Sequence, residues 1–95
     1  MAYVSFIRMG EYEQALPLYQ RSREIREKVL GSQHPDVAIT LHNLAYLYVS
    51  IKDYKKALPL YKKAVTIMQD KLGADHPNTK TMMANYEYTQ KISQQ

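Results

Sequence analysis

The sequence predicts an all-α fold, an α-solenoid of stacked antiparallel helical hairpins with about five helices. Residues 12–36 and 54–78 repeat each other at a constant offset of 42 residues, and the same residue recurs at eleven of the aligned positions. Apolar residues within each repeat recur at steps of three and four, as they do on one face of a helix. Repeats of this length indicate supersecondary units that bury their apolar faces only against neighbouring units.

A helix is predicted from Tyr54 onward, with Asp53 as its N-cap. Gly73 stands where this helix should end in a left-handed C-cap, and Pro77 stands where the next helix can begin. Pro59 falls inside the helix and removes one backbone donor, so we expect it to bend the helix or to delay its start. The apolar stripe of this helix comprises Tyr54, Ala57, Leu58, Tyr61, Ala64, Val65, Met68 and Leu72.

The segment 35–51 is apolar nearly all round, which is typical of a helix packed on several sides. We therefore expect the first helix of each unit to be an inner helix and the second to be an outer helix with a charged face. The chain then divides into a first unit at 1–34 with a short inner helix at 2–9, a second unit at 35–76, and a terminal capping helix at 77–95. Glu87 in this last segment replaces the small Ala45, as a polar cap requires.

The composition excludes several classes of protein. The chain contains no Cys, which rules out disulfides and thiolate zinc sites and suits a cytoplasmic location. No apolar run approaches the roughly 20 residues of a membrane span, so we expect no membrane partner. The net charge of +4 arises from 13 Lys and Arg against 9 acidic residues spread along the chain, so it gives little reason to expect nucleic-acid binding.

The sequence contains no catalytic or cofactor-binding constellation. Its three glycines lie at predicted helix junctions, and none belongs to a phosphate-binding loop. His34 and His76 each precede a proline at a helix start, so we interpret them as capping residues. His42 lacks the spacing to a second histidine that a helical metal site requires. We therefore predict a protein that is not an enzyme and that has no cofactor and no metal site.

The large and small residues of one complete unit resemble the tetratricopeptide signature, in which two helices pack closely. The unit's 42-residue period and its loop Lys-Leu-Gly-Ala-Asp-His-Pro-Asn resemble the longer variant found in kinesin light chains. This resemblance implies a protein–protein interaction module that binds a peptide along the concave surface of its inner helices. The signature positions are Leu41, Leu44, Ala45, Tyr48, Asp53, Tyr54, Ala57, Tyr61 and Ala64.

The positions that line such a groove follow from helical spacing. If the signature residues of the second inner helix pack inward, a second stripe on this helix is left to face the groove. Asn43 and Tyr46 recur one repeat later as Asn85 and Tyr88, and amide and phenol groups suit the recognition of an extended chain. Alternatively, the two asparagines bond to an adjacent helix and the two tyrosines are packing groups. The candidate groove residues are Val4, Arg8, Ile39, His42, Asn43, Tyr46, Ser50, Thr81, Asn85 and Tyr88.

Two alternative functions remain open on the sequence. The short first unit leaves a helix-stacking face uncovered, which favours self-association as a homo-oligomer by dimerisation or domain swapping. A basic outer face could instead attract nucleic acid or acidic protein, although a merely solvated face explains the same residues more simply. This basic face comprises Arg21, Arg23, Arg26, Lys28, Lys55, Lys56, Lys62 and Lys63.

Overall fold

The computed structural model describes residues 9–94, with side chains from residue 13 onward, and every regular element in this range is an α-helix. The helices are joined by turns of three or four residues, and each packs chiefly against its neighbours in sequence. The predicted all-α fold is therefore confirmed, while the helix predicted at residues 2–9 lies outside the described range. The helices are α1 (Met9–Leu30), α2 (Pro35–Ser50), α3 (Tyr54–Leu72) and α4 (Pro77–Ser93).

Histidine side chains cap the two inner helices, α2 and α4. Each helix starts at a proline, which has no N–H group to leave unsatisfied. Nδ1 of His34 accepts a hydrogen bond from the backbone N–H of Asp36 at 3.0 Å, and Nδ1 of His76 accepts one from Asn78 at 3.1 Å. The prediction that these two histidines are capping residues is confirmed.

The outer helix α3 is bounded by Asp53 and Gly73, as predicted. Asp53 accepts a hydrogen bond from the N–H of Lys56 at 3.4 Å. Gly73 has a φ of 88° but a ψ of 156°, so the predicted left-handed helical conformation is wrong. Gly73 instead occupies an extended positive-φ region that is essentially restricted to glycine. Pro59 lies inside α3 and does not delay its start, because the helix is already formed at Tyr54.

The core lies between α2 and α3 and extends to α4. One cluster joins the first half of α2 to the second half of α3 and to Met82 of α4, and a second joins the other halves of α2 and α3. Most of the predicted stripe is buried, but Leu72 is 40% exposed because it is the last residue of its helix. The fully or nearly fully buried apolar residues of α2 and α3 are Val37, Ala38, Leu41, Leu44, Ala45, Leu47, Ala57, Tyr61, Ala64, Val65, Ile67 and Met68.

One buried hydroxyl interrupts this core. Thr79 in the first turn of α4 is 1% exposed, and its Oγ1 has no hydrogen-bond partner among residues 9–94. The equivalent residue one repeat earlier is Val37, which is fully buried. Because a buried hydroxyl without a partner loses its hydration and gains nothing in return, Thr79 should weaken the fold.

Thr79→Val should therefore raise the free energy of unfolding by roughly 1 kcal/mol, since it removes the unpaired hydroxyl at nearly constant volume. Urea denaturation followed by circular dichroism measures the change. Thr40→Val is the matched control, because the Oγ1 of this buried threonine donates to the carbonyl oxygen of Asp36 at 3.1 Å. If Thr79→Val stabilises the protein no more than Thr40→Val does, the unpaired hydroxyl has no energetic importance.

Candidate functional site

The inner helices α2 and α4 both pack against α3 and are joined directly by a polar contact. The closest polar contact joins Nδ2 of Asn85 on α4 to Nε2 of His42 on α2, at 2.9 Å. Because the Asn85 amide nitrogen can only donate, Nε2 must accept, and His42 then carries its proton on Nδ1. Two of the predicted groove residues therefore hold the two inner helices together.

Tyr61 of α3 lies against this contact and is 2% exposed. Its ring centroid lies 5.4 Å from that of His42, with the ring planes tilted by 58°. Burial raises the pKa of Tyr61 to about 12, although a hydrogen bond with Thr89 acts in the opposite direction and lowers it. Burial also lowers the pKa of His42, since desolvation disfavours the charged imidazolium. Both rings are therefore uncharged at neutral pH.

Large side chains are exposed to solvent on both inner helices. Ile39 and Tyr46, two helical turns apart on α2, are 42% and 40% exposed, and Tyr88 on α4 is 57% exposed. The hydroxyls of Ser50 and Thr81 donate to carbonyl oxygens four residues earlier in their own helices, each at 3.0 Å. These hydroxyls therefore have only acceptor lone pairs left for a ligand.

The two repeated asparagines differ in their surroundings. Asn85 uses one amide N–H in its bond to His42. The side chain of Asn43 is half-buried, and it makes no hydrogen bond to any residue in the part of the chain that the structure describes. None of the described residues uses its donor or acceptor groups. Asn43 and Ile39 line a cleft between α1 and α2.

Arg26 is a residue of this region that sequence reasoning assigned elsewhere. We predicted it on the basic outer face, but it lines the cleft between α1 and α2 together with Ile39 and Asn43. The reason lies in the 42-residue offset, because Arg26 is equivalent to Met68, whose side chain packs inward towards the inner helices. That offset was the signal that could have placed Arg26 correctly. Val4 and Arg8, also predicted for the groove, lie outside the described residues.

Residues 9–94 contain no group of three His, Cys, Asp or Glu side chains placed to hold a metal ion. In the same range, no helix is both long and apolar enough to cross a bilayer.

The chain is similar in sequence to known proteins. Residues 2–70 match the tetratricopeptide repeat family. A 44-residue segment is 50% identical to nephrocystin-3 from Xenopus tropicalis and 50% identical to nephrocystin-3 from Homo sapiens. The corresponding identity to nephrocystin-3 from Xenopus laevis is 48%. In each case the match covers 46% of this chain and 3% of nephrocystin-3, so the chain corresponds to a small part of these relatives.

The buried position of His42 makes stability depend on pH. Its pKa in the folded protein lies below the ordinary value of 6.5, so the unfolded chain takes up a proton first as the pH falls. The stabilisation should be fully present above about pH 6.5 and should be lost as the pH falls towards the folded pKa. We expect the wild type to lose more unfolding free energy than His42→Phe between pH 7.5 and pH 5.5, as measured by urea denaturation at each pH. Parallel losses in the two proteins would contradict this role of His42.

Proposed function

The chain belongs to the tetratricopeptide repeat family, whose members generally mediate protein–protein interactions, and we propose that it binds an extended peptide segment of a partner protein in a groove along the exposed faces of the inner helices α2 and α4. Members of this family are typically scaffolds without catalytic activity. The 42-residue period supports a further part of the proposal, that the array is of the longer, kinesin light chain-like type.

The observation that carries the proposal is the half-buried Asn43 side chain, which has no hydrogen-bond partner within residues 9–94. An extended peptide has alternating backbone N–H and C=O groups, and one side-chain amide can donate to the carbonyl and accept from the N–H. A half-buried amide without partners loses part of its hydration, so a ligand that supplies both bonds gains affinity. The fixed position of Asn43 within α2 reduces the entropy that binding costs.

The exposed side chains of α2 and α4 suit the same ligand. Ile39 and Tyr46 offer apolar surface on α2, and Tyr88 offers it on α4. Tyrosine combines a large contact area with few rotatable bonds, so little side-chain entropy is lost on binding. His42 and Tyr61, which pack against each other between α2 and α3, are both uncharged at neutral pH. Contacts to the peptide backbone and to apolar side chains should therefore dominate binding in the proposed groove.

A second candidate function is self-association through α1. Leu18, Ile25 and Val29 are 71%, 52% and 74% exposed and are spaced by seven and four residues, which places them on one face of the helix. Ile67, the equivalent of Ile25 one repeat later, is only 1% exposed. An exposed apolar stripe that contains a position buried in the next repeat favours an interface with a second copy of the chain.

The proposed groove can be tested before any partner is identified, by selecting binders from a displayed library of random 12-residue peptides. The strongest binder is then synthesised with a fluorescent label and titrated with purified variants by anisotropy. Tyr46→Ala combined with Tyr88→Ala should weaken binding by roughly tenfold or more, because it removes two aromatic contacts from the centre of the site. Asn43→Ala should weaken it by about fivefold, as expected for the loss of hydrogen bonds to an uncharged backbone.

Leu18→Ala combined with Val29→Ala is the matched control, because it removes a similar amount of exposed apolar surface from α1. This control should bind the peptide within about twofold of the wild type. Sedimentation velocity on the same variants tests self-association, the second candidate function. If the chain dimerises through α1, only the α1 variant should shift the dimer towards monomer. Selection of no peptide, or equal binding by the groove and control variants, would overturn the proposed groove.

A further inference from the structure

The two equivalent asparagines of the inner helices differ in how they are held. Nδ2 of Asn85 donates to Nε2 of His42 at 2.9 Å, whereas the Asn43 side chain has no hydrogen-bond partner within residues 9–94. The residue one repeat after His42 is Ala84, which has no ring nitrogen that could accept from an amide. Of these two asparagines, only Asn85 therefore has its amide orientation fixed by another inner helix.

The imidazole that accepts this bond is itself held by a closed set of contacts. The His42 ring packs against the ring of Tyr61, with the two centroids 5.4 Å apart. Tyr61 forms a hydrogen bond with Thr89, and the Thr89 hydroxyl donates to the backbone carbonyl oxygen of Asn85 at 2.8 Å. Both the ring of His42 and the helical turn that carries Asn85 thus have partners besides each other.

The orientation of the Asn85 amide determines which atom is left for a ligand. Because Nδ2 points towards α2, Oδ1 of the same amide points away from His42. Oδ1 accepts no hydrogen bond from residues 9–94, yet it is not enclosed, since the only enclosed side-chain nitrogen or oxygen without a partner in this range is Oγ1 of Thr79. The Asn85 oxygen is therefore accessible to solvent with its acceptor capacity unused.

We propose that His42 is a positioning residue that presents the oxygen of Asn85 to the ligand, so that the bound peptide is selected for a backbone N–H at this position. This inference rests on the proposed peptide groove. A proline or an N-methylated residue has no N–H and is disfavoured opposite Asn85. Asn43 can turn its amide either to accept or to donate, so it imposes no such restriction. The two inner helices thus differ in what they require of the peptide backbone.

Protonation of His42 reverses this arrangement. The imidazolium carries a proton on Nε2 as well as on Nδ1, so it can no longer accept from the amide. The Asn85 amide must then turn its oxygen towards α2, which leaves its two N–H groups for the ligand. The affinity for a peptide that offers an N–H should therefore be constant above about pH 6.5 and should fall as the pH drops below the pKa of His42, which burial lowers from 6.5.

No other titration near the contact produces the same effect. The phenols of Tyr61 and Tyr46, from α3 and α2, stay neutral at acidic pH, and α4 contributes the non-ionisable Asn85 and Thr89. Within the described range, no carboxylate forms an ion pair with His42. A dependence of the affinity on acidic pH that disappears when the imidazole is replaced is thus assigned to His42.

Backbone N-methylation of a selected peptide tests the proposal. An acetylated binder without His, Asp or Glu is chosen from the random library, and each of its residues is N-methylated in turn. At one position the wild type should bind about fivefold more weakly, as expected for the loss of one hydrogen bond. The same methylation should cost less than about twofold on Asn85→Leu, which lacks the oxygen. It should cost an intermediate amount on His42→Phe, which keeps a ring against Tyr61 but leaves the amide free to turn.

Two further measurements separate positioning from a general structural effect. The affinity for the unmethylated peptide should fall by at least about twofold between pH 7.5 and pH 5.0 on the wild type and stay constant on His42→Phe. Two-bond ¹H–¹⁵N spectra of the free wild type should show Nε2 of His42 without a proton at pH 7.5. A protonated Nε2, equal methylation losses on all three proteins, or equal pH dependence with and without His42 would overturn this inference while leaving the groove intact. Selection of no peptide at all would overturn both proposals.

Discussion

Four small residues allow α2 and α3 to pack closely. Ala38 and Ala64 lie in one core cluster and Ala45 and Ala57 in the other, and all four are fully buried. The separation of packed helices depends on the side chains at their contact, and a methyl group takes up little space there. Larger residues such as Leu41 and Leu44 then fill the space around these contacts. Because α2 is also contacted by α1, little of its circumference is left free, and that narrow strip is where Ile39 and Tyr46 emerge.

This constraint explains why the proposed groove is largely uncharged. An inner helix with neighbours on several sides cannot carry many charges, since a charge buried without a partner is strongly destabilising. The positions between buried and exposed faces are therefore occupied by groups that can pack and also form hydrogen bonds, such as His42 and Asn85. His42 stays neutral through burial and accepts the proton of an amide rather than that of a charged group. In the cleft between α1 and α2, charge comes from Arg26 of the outer helix and from Asp36 in the first turn of α2.

The helical array could be predicted from the sequence because the repeat and the helical periodicity are both local patterns. The caps at His34, His76 and Asp53 were predictable for the same reason. The ψ angle of Gly73 and the exposure of Leu72 depend on how each helix end meets its turn, which no local pattern specifies. The hydrogen bond between His42 and Asn85 depends on the distance between two helices that are not adjacent in sequence. The 42-residue period indicates which positions are equivalent, but it does not indicate which of two equivalent residues is buried by a neighbouring helix.

Packing mainly between successive helices also links the folding of the array to what it binds. Among the described helices, α1 and α4 each pack against one main neighbour, whereas α2 and α3 each have two. In such a linear arrangement a helix with one main neighbour undocks at a smaller free-energy cost than a helix with two. A ligand that contacts two successive helices at once binds only while both are docked, so it would stabilise their docked state. Binding and local order would then be coupled wherever a ligand bridges two successive helices.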